Sequence, residues 1–155
     1  MEKYRRRSLN LFELAQRIYG PSYISFESAL SHHGWIPESV PTITSASAKR
    51  SKTFSTPLGV FSFIFIPVNV FLIGVNQVST GVETFFIATP WRAIGDYVYA
   101  YKKDWNGIHP LIQSLRIDEE HFAQTSGDEL SEIQNNYRSR RVKTFFKGVL
   151  KDLSL

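Results

Sequence analysis

Residues 22–65 read SYISFESALSHHGWIPESVPTITSASAKRSKTFSTPLGVFSFIF, and the order of signals in this stretch decides the fold. Ser25 is placed to cap a short helix over Phe26–His33, in which Phe26, Ala29 and Leu30 share a face and Gly34 supplies a left-handed exit. Trp35 and Ile36 fold back over that helix before Pro37 forces an extended path. Thr42–Ser47 then reads as a half-exposed strand and Thr53–Thr56 as its return, a hairpin whose turn, Ala48 to Lys52, carries Lys49, Arg50 and Lys52. Pro57-Leu58-Gly59 turns the chain into Val60–Ile66, with Phe61, Phe63 and Phe65 on one face and Val60, Ser62, Ile64 and Ile66 on the other. Two largely apolar faces predict a central strand covered on both sides.

Working outward, Met1 to Leu9 is expected to be a basic arm and residues 10–155 one α+β domain, a small mixed or antiparallel sheet packed with several helices. Asn10 and Glu13 resemble a capping box for a helix ending at Tyr19, closed by Gly20-Pro21. Downstream, Val68–Val78 predicts a turn and a strand, Ser79-Thr80-Gly81 a hairpin turn, and Val82–Ala88 another strand. Thr89-Pro90 starts a helix over Trp91–Lys102, on which Arg92 and Asp96 stand four apart and are expected to form a surface ion pair. A loop, a short helix at Leu111–Leu115, an acidic turn at Asp118–His121 and a helix at Asp128–Asn136 follow. The last helix is amphipathic: Val142, Phe145, Phe146, Val149, Leu150 and Leu153 make the apolar stripe. Opposite it run Arg140, Lys143, Lys147 and Lys151, with Arg141 beside them.

The net charge of +4 is unevenly spread, with an acidic middle between two basic ends. Residues 137–155 hold six Lys/Arg and one Asp/Glu, whereas residues 53–136 hold four and nine. Such ends suit anionic partners. There is no cysteine among the 155 residues, which excludes a disulfide framework, a Cys-ligated zinc and a thiol nucleophile, and fits a reducing, cytoplasmic location. The uncharged run Leu58–Val75 is long enough to span a bilayer. Pro67, Asn69 and a β-branched, aromatic composition favour instead a buried strand pair broken at Pro67. No signal-peptide pattern is present.

No catalytic motif, metal-ligand spacing or cofactor loop occurs, and the adjacent His32 and His33 point in different directions on a helix. The expectation is a non-enzyme without cofactor or metal that acts by binding. Lys49, Arg50 and Lys52 either keep a sheet edge soluble or contact phosphate or an acidic partner. Arg140, Arg141, Lys143 and Lys147 form either a solvated face or a surface for an acidic protein or nucleic acid. Arg140 and Arg141 lie in the first turn, where the helix dipole disfavours cations, so something other than helix stability keeps them there.

Several of these segments match, in order, the pattern of AbiEi-family antitoxins and transcriptional regulators of type IV abortive-infection toxin–antitoxin systems. The segments are Ser22-Tyr23-Ile24-Ser25-Phe26-Glu27-Ser28-Ala29-Leu30, His33-Gly34-Trp35-Ile36-Pro37-Glu38, Thr42-Ile43-Thr44-Ser45, Lys49-Arg50-Ser51-Lys52, Thr56-Pro57-Leu58-Gly59-Val60-Phe61-Ser62-Phe63 and Ile87-Ala88-Thr89-Pro90-Trp91-Arg92-Ala93-Ile94-Gly95-Asp96. Trp91 and Arg92 depart from the Glu and Lys usual in the last of them. The resemblance implies an antitoxin-type domain acting against a nucleotidyltransferase-type toxin. Longer members carry an N-terminal winged helix, for which the 21 residues ahead of Ser22 are too short. A stand-alone regulator that binds DNA or RNA through the two basic surfaces is the alternative.

Overall fold

A three-residue strand, β1 (Ser22–Ile24), joins the two halves of a six-stranded mixed sheet. The structure is a computed structural model and describes residues 10–79 and 81–155; the arm expected over residues 1–9 lies outside them. The chain runs α1 (Leu11–Ile18), β1, α2 (Phe26–His32), β2 (Ile43–Ser47), β3 (Lys52–Thr56), β4 (Gly59–Phe65), β5 (Val75–Ser79), β6 (Thr84–Ala88), α3 (Pro90–Ala100), α4 (His109–Ser114), a 3-10 turn (Glu119–Phe122), α5 (Gly127–Asn136) and α6 (Arg140–Asp152). The strand order is β3-β4-β2-β1-β6-β5. β1 runs parallel to β6 and β2 parallel to β4, and the remaining neighbours are antiparallel. This is the α+β domain expected from the sequence.

The hairpin expected between residues 42 and 56 does not form. β4 lies between β2 and β3 and pairs with both, Phe63 facing Ser45 on one side and Lys52 on the other. The hairpin is the next one along, β3–β4, closed by Pro57-Leu58; Thr56 Oγ1 accepts from the Leu58 amide at 3.1 Å and donates to the Gly59 carbonyl at 2.8 Å. The basic segment 48–51 is therefore a link that steps over β4, a span of about two inter-strand spacings, or roughly 10 Å. Aromatic packing favours this arrangement, because Phe61 and Phe63 are buried, and Phe63 makes edge-on contacts with Phe54 of β3 and Tyr19 after α1. β4 is accordingly second from the edge rather than central, and Val60 and Phe65 at its ends are 38% and 41% exposed.

α1 covers the sheet face that carries Phe85, Phe63 and Phe54, with Phe12 against Phe85. α3 covers the opposite face, reached by the Tyr23 side chain, and α5 and α6 pack on α3. The run Leu58–Val75 is one strand followed by a loop, not a strand pair. Val68 makes a lone bridge to Tyr137, and Asn136 holds the Val70 amide at 2.7 Å and carbonyl at 2.8 Å. Among the described residues no helix is long and apolar enough to cross a membrane.

Local signals are completed by distant residues. Asn10 caps α1 as expected, its side chain accepting from the Phe12 and Glu13 amides. Ser25 occupies the cap position of α2 but makes no side-chain cap bond, since its hydroxyl donates to Asp96. Thr44 of β2 takes over: its Oγ1 accepts from the Ser28 amide at 3.0 Å and donates to the Ser25 carbonyl at 2.7 Å, while Ser28 Oγ accepts from the Thr44 amide at 2.8 Å. A capping bond has been moved from the helix to the neighbouring strand.

Gln16 solves a second problem. β1 meets β6 only at Ile24 and Ile87, which leaves the start of β6 without a strand on that side. The Gln16 amide acts as a one-residue strand, accepting from the Phe86 amide and donating to the Thr84 carbonyl. Gln16→Ala is expected to destabilise the fold by about 1–3 kcal/mol through the two half-buried backbone groups it orphans. Urea denaturation measures this, and a shift below about 0.5 kcal/mol would mean that water replaces the side chain at no cost.

Candidate functional site

The residues expected to form a surface ion pair are the most buried charges among the described residues. Arg92 and Asp96 are both 0% exposed, one turn apart on α3, with Arg92 Nε 3.2 Å from Asp96 Oδ1. Their contacts explain the correction. Asp96 Oδ2 accepts from Tyr23 and Ser25 hydroxyls at 2.7 Å each, and Oδ1 accepts from Tyr137 as well. The guanidinium lies over both phenol rings, 5.1 Å from that of Tyr23 and 5.5 Å from that of Tyr137, and donates through Nη1 to the Ile73 carbonyl. Burial, reinforced by the Asp96 charge, holds both phenols well above the ordinary tyrosine range. Arg92 Nη2 alone is buried without a partner in this knot.

This arrangement binds β1, α3 and the segment after α5 together; it presents no nucleophile to solvent. Tyr23 and Ser25 come from the first segment of the resemblance and Arg92 and Asp96 from the last, so those segments meet as structure. Periodicity on α3 does not reveal this. The visible clue was an Arg–Asp pair flanked by Ala93, Ile94 and Val98, all of which are buried.

The basic link is the first exposed candidate. Lys49, Arg50 and Lys52 are all exposed, and the link is pinned rather than loose. Tyr19 OH donates to the Arg50 carbonyl at 2.7 Å, Ser51 Oγ accepts from the Phe65 amide at 2.9 Å, and Ser47 Oγ accepts from the Lys49 amide at 2.9 Å. The lysines lie over aromatic rings: Lys49 Nζ is 5.3 Å from the Tyr19 centroid and Lys52 Nζ 5.1 Å from that of Phe54. Two lysines on an aromatic bed, with the exposed Arg50 between them in the chain, form a surface suited to a carboxylate-rich protein or a phosphate backbone. Tyr19 was not singled out from the sequence, because only the fold brings it beneath the lysines, whereas Phe54 stands two residues from Lys52 on the same face of β3.

The second candidate is the outer face of α6. Arg140 and Lys147 are exposed, Arg141 and Lys143 half-buried, and Val142, Phe145, Phe146 and Val149 buried, as the amphipathic stripe predicts. Arg141 pairs with Asp104 at 3.1 Å, which offsets part of its unfavourable position in the first turn. With Trp105, Asn106 and Thr144 these two arginines line a cleft of about 430 Å³. The link packs beside α1 and α6 beside α3 and α5, so the two basic surfaces belong to different layers and do not form one site.

His33 is tied into the fold. His33 Nε2 donates to the Ala88 carbonyl at 2.9 Å, and burial lowers the pKa of its imidazole. Among the described residues no group of three or more His, Cys, Asp or Glu is placed to hold a metal. No protein-family model and no curated protein matches the chain.

Proposed function

We propose that this chain is a cytoplasmic, non-catalytic antitoxin of the AbiEi type that antagonises a nucleotidyltransferase-type toxin. The observation that carries the reading is the ordered set of matching segments between Ser22 and Asp96, whose Tyr23, Ser25 and Asp96 side chains join in one buried knot. Segments far apart in sequence that resemble one family here depend on one another for packing. Because that knot is internal, contact with the partner falls to the exposed link, where Lys49 and Lys52 stand over Tyr19 and Phe54 with Arg50 between them in the chain.

Co-expression with the product of the adjacent gene tests the reading, scored by growth and co-purification. Growth rescue is expected with the native chain and its loss with Lys49→Glu/Arg50→Glu/Lys52→Glu, at unchanged circular dichroism. Full rescue by the folded triple variant removes the link from the interface. Absence of rescue by the native chain removes the antitoxin reading itself.

A second reading, a stand-alone nucleic-acid binder, is favoured by the same cation-on-aromatic geometry, since bases stack on rings while cations meet phosphates. It predicts that affinity for single-stranded DNA or RNA falls steeply between 50 and 200 mM salt, by about tenfold or more for a few phosphate contacts. A salt-insensitive titration would count against it.

A further inference from the structure

β4 ends in an apolar cleft of about 350 Å³ that abuts the basic link. Ala48, the residue before Lys49, lines it together with Phe65 and Pro67 at the end of β4, Val68 and Phe71 of the following loop, and the exposed Arg138. Hydrogen bonds join cleft and link into one surface. Ser51 Oγ accepts from the Phe65 amide at 2.9 Å, and the Ile66 amide donates to the Ser47 carbonyl at 3.1 Å. The loop is anchored as well: Asn136 holds both backbone groups of Val70, and the Phe71 ring sits edge-on against Tyr23 at 5.0 Å. Phe65, by contrast, is 41% exposed, and Val70 in the same loop 54%. Among the described residues no aspartate or glutamate lines the cleft. Arg138 donates through Nε to Asn69 Oδ1 at 3.1 Å, which leaves its two Nη groups for a guest.

We propose that cleft and link together dock an acidic segment of a partner protein, which seats one bulky apolar side chain in the cleft and turns its flanking carboxylates to Arg138 and the link cations. The inference rests on the reading of the link as the partner-contact surface and names what that partner presents. An apolar opening with a polar surround is the form of an interaction site, and the cations fix the sign of what lies beside the anchor. An apolar side chain buried in such a pocket carries much of the binding, while the charges set register. Asn69, the one amide side chain lining the cleft among the described residues, is engaged by Arg138, so the cleft selects by volume and apolarity rather than by base edges.

Titration of the full chain with acetyl-Glu-Glu-Phe-Glu-Glu-amide, followed by NMR, tests this. The backbone amides of Ala48, Phe65, Val68 and Arg138 are expected to shift saturably. Serine in place of the peptide's phenylalanine should weaken binding about tenfold, and Phe65→Ser in the protein should do the same. Phe65→Ser keeps the amide that bonds Ser51, and the serine peptide leaves the protein unaltered, so docking is separated from folding. Lys49→Glu/Arg50→Glu/Lys52→Glu should abolish the shifts. No saturable shift, equal binding of the serine peptide, or an unaffected Phe65→Ser variant would each overturn the proposal. Shifts at these amides with an oligothymidylate but not with the peptide would overturn it in favour of a nucleic-acid surface. None of these readouts needs a toxin, so their failure alongside growth rescue in co-expression would strike this inference and leave the antitoxin reading in place.

Discussion

Asp96→Ala is expected to lower folding stability by about 3–5 kcal/mol, the range for breaking a buried ion pair from one side. Four donors converge on this carboxylate: Arg92 Nε and the hydroxyls of Tyr23, Ser25 and Tyr137. Removal orphans Arg92 Nε and the Tyr23 and Ser25 hydroxyls, leaves Tyr137 only the Arg92 carbonyl at 3.4 Å, and leaves the buried Arg92 charge uncompensated. Arg92→Met should cost less, since it leaves Asp96 its three hydroxyl donors. Asp96→Asn, which keeps the shape and loses the charge, should fall between Asp96→Ala and wild type. Urea midpoints at constant slope report these differences. An alanine variant within about 1 kcal/mol of wild type would mean that the knot follows the packing rather than holding it.

The same knot sets a limit at high pH. Tyr23 and Tyr137 have pKa values raised by burial and by Asp96, so above the unfolded tyrosine value near 10 the unfolded chain loses protons that the folded chain keeps. Stability is expected to be intact below about pH 10 and to fall as pH rises beyond it. A Tyr137→Phe variant should show a shallower alkaline decline in thermal melts, because it titrates one phenol fewer.

Phe26→Ala is expected to cost about 3–5 kcal/mol, and Phe26→Gly less, reversing the usual order in a helix. Phe26 is 0% exposed and contacts Tyr101, yet it opens α2 with a φ of +55°, the left-handed region that a bulky residue rarely adopts. Both variants lose the ring, but only glycine relaxes the backbone, a difference of roughly 1 kcal/mol. The strain persists because neighbouring groups fix the junction: Ser25 bonds Asp96, the Ser25 carbonyl accepts from Thr44, and the Ser28 amide is capped by Thr44. If alanine proved the more stable variant, the left-handed start would not be a feature of the folded chain in solution.

Single elements were legible wherever a local signal sufficed. The caps Asn10 and Thr89 start helices where expected, and α6 buries its apolar stripe. The exposed basic residues were legible for the same reason, because a charged side chain without apolar company is rarely buried. The Arg92–Asp96 pair misled because spacing alone cannot distinguish a surface pair from an internal one. Burial depended on Tyr23 and Tyr137, 69 and 45 residues from Arg92 along the chain. The hairpin misled in the same way, since β2 and β3 have turn residues between them but β4 offers each a better partner.

From its residues alone this chain determined the α+β class, most helix starts, the amphipathic last helix and the basic character of two surfaces, all properties of short windows. Only the tertiary structure decided the strand order, the transfer of the α2 cap to Thr44, the Gln16 bridge to β6, the burial of Arg92 and Asp96, and the placement of Tyr19 beneath Lys49 and Lys52. Each of these requires groups distant in sequence to satisfy one another's hydrogen bonds or apolar surface, and such pairings form only when the sheet closes.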